Sequence, residues 1–322
     1  MLKKSFVWSL IFSVLFFCTS DKISAKEKFK FDAPNPSTEF SKMDFPQLYP
    51  TYSWEPLPNT EFYQVQVVKI DGTKEKIVRE LKNQFSLSRV TDSQPFNEEG
   101  KYFWKVRVID KKNKPLSDWS EKKFFTVEMP VNFAVLGDSI SHGGSNFIPA
   151  GQLSCQWETY CEIPVKNLAR SGDTTQMMIE RFDADILPFQ PKILIIMGGV
   201  NDIREGKNFD EVIKNLEILR EKCLTNNIEP IFCTITPMNE KIISGRKIFL
   251  TDNDWRTQRK KINSWILENG GIDVSSKLED ENGELQEKFT VDGLHPDLRG
   301  KILIGKSIEK SLKEKFGDKN VF

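Results

Sequence analysis

The sequence predicts an α/β chain: a three-layer, doubly wound parallel sheet preceded by a small all-β sandwich. Three observations carry this. From about residue 50 to residue 127, apolar and polar residues alternate with period 2 and no long helical pattern intrudes. After Pro130 the pattern switches to short apolar strands separated by amphipathic stretches, as repeated β–α units require. Residues 192–197 form a continuous apolar run, which suits a strand covered on both faces. At 322 residues the chain has room for about two such domains.

Met1-Leu2-Lys3-Lys4 is a short basic start, followed by an apolar run at residues 5–17. That run is shorter than the ~20 residues a membrane span needs, and small or polar residues come next. Residues 1–25 are therefore expected to be an export signal, cut after Ser20 or Ala25. A retained anchor is the alternative. Lipid attachment at Cys18 is another, although the bulky Phe17 stands where a small residue is wanted. Export places the protein outside the cytoplasm: secreted, periplasmic or at the cell surface.

The β region follows. Residues 62–68 and 102–108 each alternate, the second placing Tyr102, Trp104, Val106 and Val108 on one face. Asp71-Gly72 and Glu99-Gly100 supply turns between strands. Beyond Pro130, strands are expected at residues 131–136, 163–168, 192–197 and 230–235. Helices are expected at 174–187, 210–223, 254–267 and 299–315. In a doubly wound sheet, ligands bind at the carboxyl ends of the strands.

Four polar, glycine-containing blocks fall there. Gly137-Asp138-Ser139-Ile140-Ser141 ends the first strand, and Asn167 to Asp173 follows the second. Gly198-Gly199-Val200-Asn201-Asp202 follows the third, and Asp292-Gly293-Leu294-His295-Pro296 lies near the C-terminus. The residue types suit acyl transfer. Ser139 offers a hydroxyl that needs a base, and His295 is the fitting base. Asp292, three residues earlier, can fix the imidazole tautomer and stabilise its cation. The backbone N–H groups of Ser139 and Gly172 and the amide of Asn201 are candidate oxyanion donors. Asp138 and Asp202 are expected to brace loops.

The sequence holds only two histidines, His142 and His295. No carboxylate stands at the matching offset from His142, so it is expected on the surface or behind the site and largely dispensable. Together the four blocks resemble those of the SGNH/GDSL hydrolases, in order and separation, over roughly residues 130–317. The resemblance implies a flavodoxin-like SGNH fold and a serine esterase with Ser139, Asp292 and His295 as catalytic residues. It also implies an oxyanion hole at Ser139, Gly172 and Asn201, with no cofactor and no metal. Ile140, where the family motif has leucine, is a departure without catalytic consequence.

Trp54, the Tyr102/Trp104 strand, and Trp119-Ser120 ahead of residues 124–127 resemble a fibronectin type III-like module. The expected organisation is thus a signal peptide at 1–25, this module at 45–128 and the hydrolase domain at 130–317. The module carries no catalytic cluster of its own. It is expected to be a spacer or packing support, or a surface that holds a polymer near the site.

Composition narrows the partners. Lys+Arg and Asp+Glu both number 46, so the formal charge is zero and nothing suggests a nucleic-acid footprint. Residues 300–307 match the phosphate-loop pattern, but no strand precedes them, and Ile302, Leu303, Ile304 and Ile308 fit a helix packed on the sheet. Nucleotide binding is not expected. Five cysteines are too few for a disulfide framework. Cys155 and Cys161 are placed so that they could pair after export, whereas Cys223 and Cys233 read as buried thiols. The expected activity is hydrolysis of short-chain, acetyl esters on a carbohydrate. A lipase or lysophospholipase, or a non-catalytic cell-surface binding protein, is the alternative. Membrane contact is expected only through a signal or lipid anchor.

Overall fold

The computed structural model describes residues 29–83, 87–145, 153–251 and 254–317. The expected export signal and Cys18 lie outside the described residues.

Alternation builds the first domain. Strands β1 (Thr51–Ser53), β2 (Phe62–Asp71), β3 (Lys74–Asn83), β4 (Arg89–Thr91), β5 (Gly100–Ile109) and β6 (Lys123–Val127) form two antiparallel sheets. One sheet has the order β3-β2-β5-β6, and the other is the pair β1-β4. Tyr63, Val65 and Val67 of β2 and Tyr102, Trp104, Val106 and Val108 of β5 are all buried. Across from them Tyr52 of β1 sits with its ring centroid 5.3 Å from that of Trp104, and Trp54 lies 4.8 Å from Tyr63. The edge strand β3 is rich in Lys and Glu, which discourages pairing with another chain.

After a cis Met129–Pro130 peptide the chain enters the second domain. Its strands are β7 (Phe133–Gly137), β8 (Lys166–Asn167), β9 (Ile193–Met197) and β10 (Glu229–Phe232). They are parallel, in the order β10-β9-β7-β8. A further parallel bridge, Cys233 to Ile272, extends the sheet beyond β10. Every residue of β7 and β9 is buried, as the apolar run predicts.

The helices are α1 (Ser139–His142), α2 (Thr175–Asp185), α3 (Val200–Arg204), α4 (Phe209–Thr225), α5 (Glu240–Gly245), α6 (Trp255–Glu268) and α7 (Leu298–Phe316). Helices α2, α4 and α6 pack side by side as one layer, and α7 packs on the 157–160 turn as another. The chain runs from β7 outward to β8, then back past β7 to β9. Its direction therefore reverses between β7 and β9, and the crevice at their carboxyl ends is the expected ligand position.

Two strands are shorter than the sequence pattern implies. Only Lys166 and Asn167 pair in β8, where residues 163–168 were expected; beyond them the contact with β7 thins to single hydrogen bonds, Leu168 N–H to Val135 C=O (2.9 Å) and Arg170 N–H to Gly137 C=O (3.0 Å). Strand β10 ends at Phe232, not residue 235. There the Asn263 side chain accepts from Ile235 N–H and donates to Ile235 C=O, replacing the strand ladder. The phosphate-loop pattern at 300–307 lies wholly within α7, with Lys301, Ile304 and Ile308 buried at helical spacing.

The apolar core runs continuously from the sandwich into the parallel sheet. Residues 46–49, just before β1, are all buried and bonded to the second domain. Pro46 C=O accepts from Lys166 Nζ (2.5 Å), and Gln47 Nε2 donates to His142 C=O (2.8 Å). Leu48 N–H reaches Asn167 C=O (2.9 Å), and Tyr49 OH reaches Asp185 Oδ2 (2.5 Å).

Candidate active site

The first residue of α1 is Ser139, directly past the end of β7. Asp138 caps the helix by accepting from Ile140 N–H at 2.9 Å, and buried Lys301 donates to Ile140 C=O from below. Burial pushes the Asp138 carboxyl up to about 7 and the Lys301 amine down to about 8. Both brace α1, as expected of Asp138.

The hydroxyl of Ser139 lies 2.8 Å from His295 Nε2, and His295 Nδ1 lies 2.8 Å from Asp292 Oδ2. Asp292 Oδ1 also accepts the backbone N–H groups of Leu294 (3.0 Å) and His295 (2.8 Å). Burial raises the Asp292 pKa. The hydrogen bond and charge of His295, with these two N–H groups, outweigh burial and hold the carboxyl below the usual carboxylate range. An ionised carboxylate only accepts, so Nδ1 carries the proton and Nε2 offers its lone pair to Ser139. The turn that brings Asp292 and His295 together needs Gly293. Its φ is +83°, and a Cβ there would sit 2.8 Å from Asn239 C=O.

The loop after β8 is tied at three points. Arg170 N–H donates to Gly137 C=O (3.0 Å) and Ser171 N–H to His142 Nδ1 (3.1 Å). Asp173 C=O accepts from Asn201 Nδ2 (2.9 Å). Between these ties stands Gly172, with φ +88°, and a Cβ there would meet open space. Among the described residues its N–H meets no hydrogen-bond acceptor. Asn201 is buried in α3, and its Oδ1 accepts from Arg204 (3.3 Å). That contact fixes the amide with its nitrogen toward the loop, and among the described residues its second N–H meets no acceptor. Asp202 braces α2, accepting from Thr175 N–H (2.9 Å) and Thr175 Oγ1 (2.6 Å).

All five expected site residues thus lie on helix starts and loops joined to one another by hydrogen bonds. His142 differs from one expectation: it is buried, 2% exposed, not on the surface. Cys155 and Cys161 are free, buried thiols, and burial pushes Cys161 up to about 11. Sequence reading missed Arg204 and the buried pair of Arg181 Nε with Asp173 Oδ2 (2.5 Å). Both are charged residues close to a block, a pattern that surface positions share.

The arrangement can deliver a proton from a serine hydroxyl to a histidine oriented by a carboxylate. Among solved structures the chain is similar to a GDSL-like lipase from Bacteroides thetaiotaomicron. That likeness is 19% identical, with TM-score 0.45, over 58% of this chain and 88% of the other. It is also similar to the lipase/acylhydrolase from Enterococcus faecalis (22%, 0.46, 58% and 97%). A third is a catalytic mutant of an acetylxylan esterase from Geobacillus stearothermophilus (18%, 0.42, 58% and 95%). Nothing among curated proteins matches the chain. The model of the GDSL-like Lipase/Acylhydrolase family matches residues 135–301, just over half of the sequence. The chain belongs to that family and is a serine ester hydrolase.

Proposed function

We propose that Ser139 is the nucleophile of an exported esterase that removes acetyl groups from a carbohydrate. The observation that carries the catalytic assignment is the unbroken chain Ser139–His295–Asp292, with both links at 2.8 Å. His295 takes the hydroxyl proton as the serine oxygen adds to the ester carbonyl. The oxyanion is received by the N–H groups of Ser139 and Gly172 and by the Asn201 amide. His295 then protonates the leaving alcohol, and water, deprotonated by the same histidine, releases the acid from the acyl-serine.

The acetyl preference rests on the polar, glycine-rich sequence after the nucleophile, Gly143-Gly144-Ser145-Asn146 and onward to Trp157. A long chain would need sheltered apolar length, at about 0.8 kcal/mol per buried methylene. The carbohydrate reading rests on the β-sandwich ahead of the hydrolase, which we take as a fibronectin type III-like module at 45–128 joined to a hydrolase domain at 130–317. In that module the cations of Lys105 and Arg107 lie over the Trp119 ring, 4.6 and 4.3 Å from its centroid. Export rests on the basic and apolar character of residues 1–25. One observation favours longer acyl groups: Val291, next to Asp292, and Phe249, whose carbonyl holds Arg204, are large and exposed.

Hydrolysis of p-nitrophenyl acetate and octanoate, and acetate release from acetylated xylan, test the reading. Ser139→Ala and His295→Ala should each abolish turnover while leaving thermal melting unchanged. Activity surviving Ser139→Ala would remove the nucleophile assignment, and octanoate preferred over acetate would move the substrate to longer acyl esters.

A further inference from the structure

An oxyanion donor works only if its N–H is held in place before charge develops. Ser171 and Gly172 are exposed and belong to no helix or strand. Something else must fix them.

We propose that His142, set by the Tyr49 carbonyl of the N-terminal segment, is the positioning residue of the oxyanion loop. The N-terminal domain is thereby part of the catalytic apparatus. This rests on the proposed roles of Ser139 and Gly172. The imidazole lies between two partners whose hydrogen-bonding roles are fixed. Tyr49 C=O, 2.9 Å from Nε2, can only accept, so Nε2 carries the proton. Ser171 N–H, 3.1 Å from Nδ1, can only donate, so Nδ1 must be bare. The Ser171 hydroxyl lies 3.0 Å from the same nitrogen. The two roles are compatible in one neutral tautomer alone, and the carbonyl of Tyr49 selects it. With both nitrogens engaged, His142 has none left to act as a base.

The tautomer selector is itself anchored. Gln47 holds the His142 carbonyl, Leu48 holds the β8 backbone, and Tyr49 holds Asp185. The Tyr49 and His142 rings meet edge to face at 6.3 Å. From behind, Arg181 lies 6.0 Å over the Tyr49 ring while paired to Asp173 and Asp185, which ties the same loop to α2. Burial lowers the His142 pKa, consistent with a neutral ring. The peptide that presents Gly172 N–H begins at the Ser171 carbonyl, so holding Ser171 orients the donor.

Three variants of the full chain separate the two bonds. His142→Asn places an oxygen near the Nδ1 position and keeps the acceptor. His142→Gln reaches toward Tyr49 with a donor and loses the acceptor. His142→Phe loses both. Turnover of p-nitrophenyl acetate is measured per active site, counted by covalent labelling with a fluorophosphonate, and thermal melting is followed in parallel. His142→Phe should lower kcat about 10–100-fold with KM within about twofold, less than the ~10²–10³ of a deleted donor. Asn should recover most of that loss, and Gln should not. A packing role alone would lower melting temperature and the labelled fraction but leave kcat per labelled site unchanged, which would overturn the proposal. If the Phe variant does not fold, the Asn–Gln comparison decides, and Gln equal to or faster than Asn overturns it. Ser139→Ala is run alongside: its surviving activity would refute the nucleophile assignment, whereas His142 variants at wild-type kcat beside an inactive Ser139→Ala refute this proposal alone.

Discussion

Asn201 uses one amide for two tasks. One N–H holds the loop carbonyl of Asp173, and the other is free to meet an oxyanion. Asn201→Ala should therefore reduce kcat on p-nitrophenyl acetate by roughly 10²–10³, with KM changed far less, as expected for an interaction made in the transition state. A KM effect with intact kcat would place Asn201 in substrate binding instead. Lys166 raises a different question, because it is buried with the Pro46 carbonyl as its acceptor. Burial pulls its pKa down to about 7, whereas an unfolded lysine titrates near about 10.4. Between those values the unfolded chain binds the extra proton, so this residue's contribution to stability rises with pH across that window. Below about pH 7 both states are protonated and the slope vanishes. The melting temperature of the wild type minus that of Lys166→Met should accordingly increase from pH 7 to pH 10. A flat difference would show that the amine titrates normally.

Helix α2 begins where α3 can hold it. Asp202 takes both the N–H and the hydroxyl of Thr175, all in a buried setting. Asp202→Ala leaves those donors without an acceptor, a loss of about 1–3 kcal/mol that urea denaturation would register. An unchanged midpoint would mean that water replaces the carboxylate at no cost. Local patterns made many elements legible. Period 2 marks β2 and β5, the apolar run marks β9, and i, i+3, i+4 spacing marks α4 and α7. The site blocks were legible for the same reason, since each is a short contiguous motif and three of them stand beside a strand end. Strand β3 was not, because its many Lys, Glu and Arg residues leave only Val78 and Leu81 against the core, too few to mark a period. The end of β10 escaped as well, since Asn263 competes for the backbone from a position that periodicity does not see.

The joining of the two domains was the least legible feature. It depends on partners such as Tyr49 and His142, 93 residues apart, and Tyr49 and Asp185, 136 apart. The short join at Pro130 allows a spacer, a packing support or a polymer-holding surface, and residues 46–49 are seated on the hydrolase sheet and its nucleophile helix. A chain beginning at Met129 would leave Lys166, His142 and Asp185 without these partners and would open a continuous core. It should be insoluble, or melt far below the full chain. A soluble fragment with an unchanged melting temperature would show that the domains are energetically independent.

Residues 46–49 also set an order of events. They leave the exit tunnel before the groups they bond, which lie between His142 and Asp185. At about 5–20 residues per second, those groups follow roughly 5–30 s later. Until then Gln47 and Tyr49 stay hydrated and the sandwich can close only around its own strands. The nascent chain thus holds a half-finished joint, and the oxyanion loop reaches its working shape only when the stretch from His142 to Asp185 returns to the earlier-made residues 46–49.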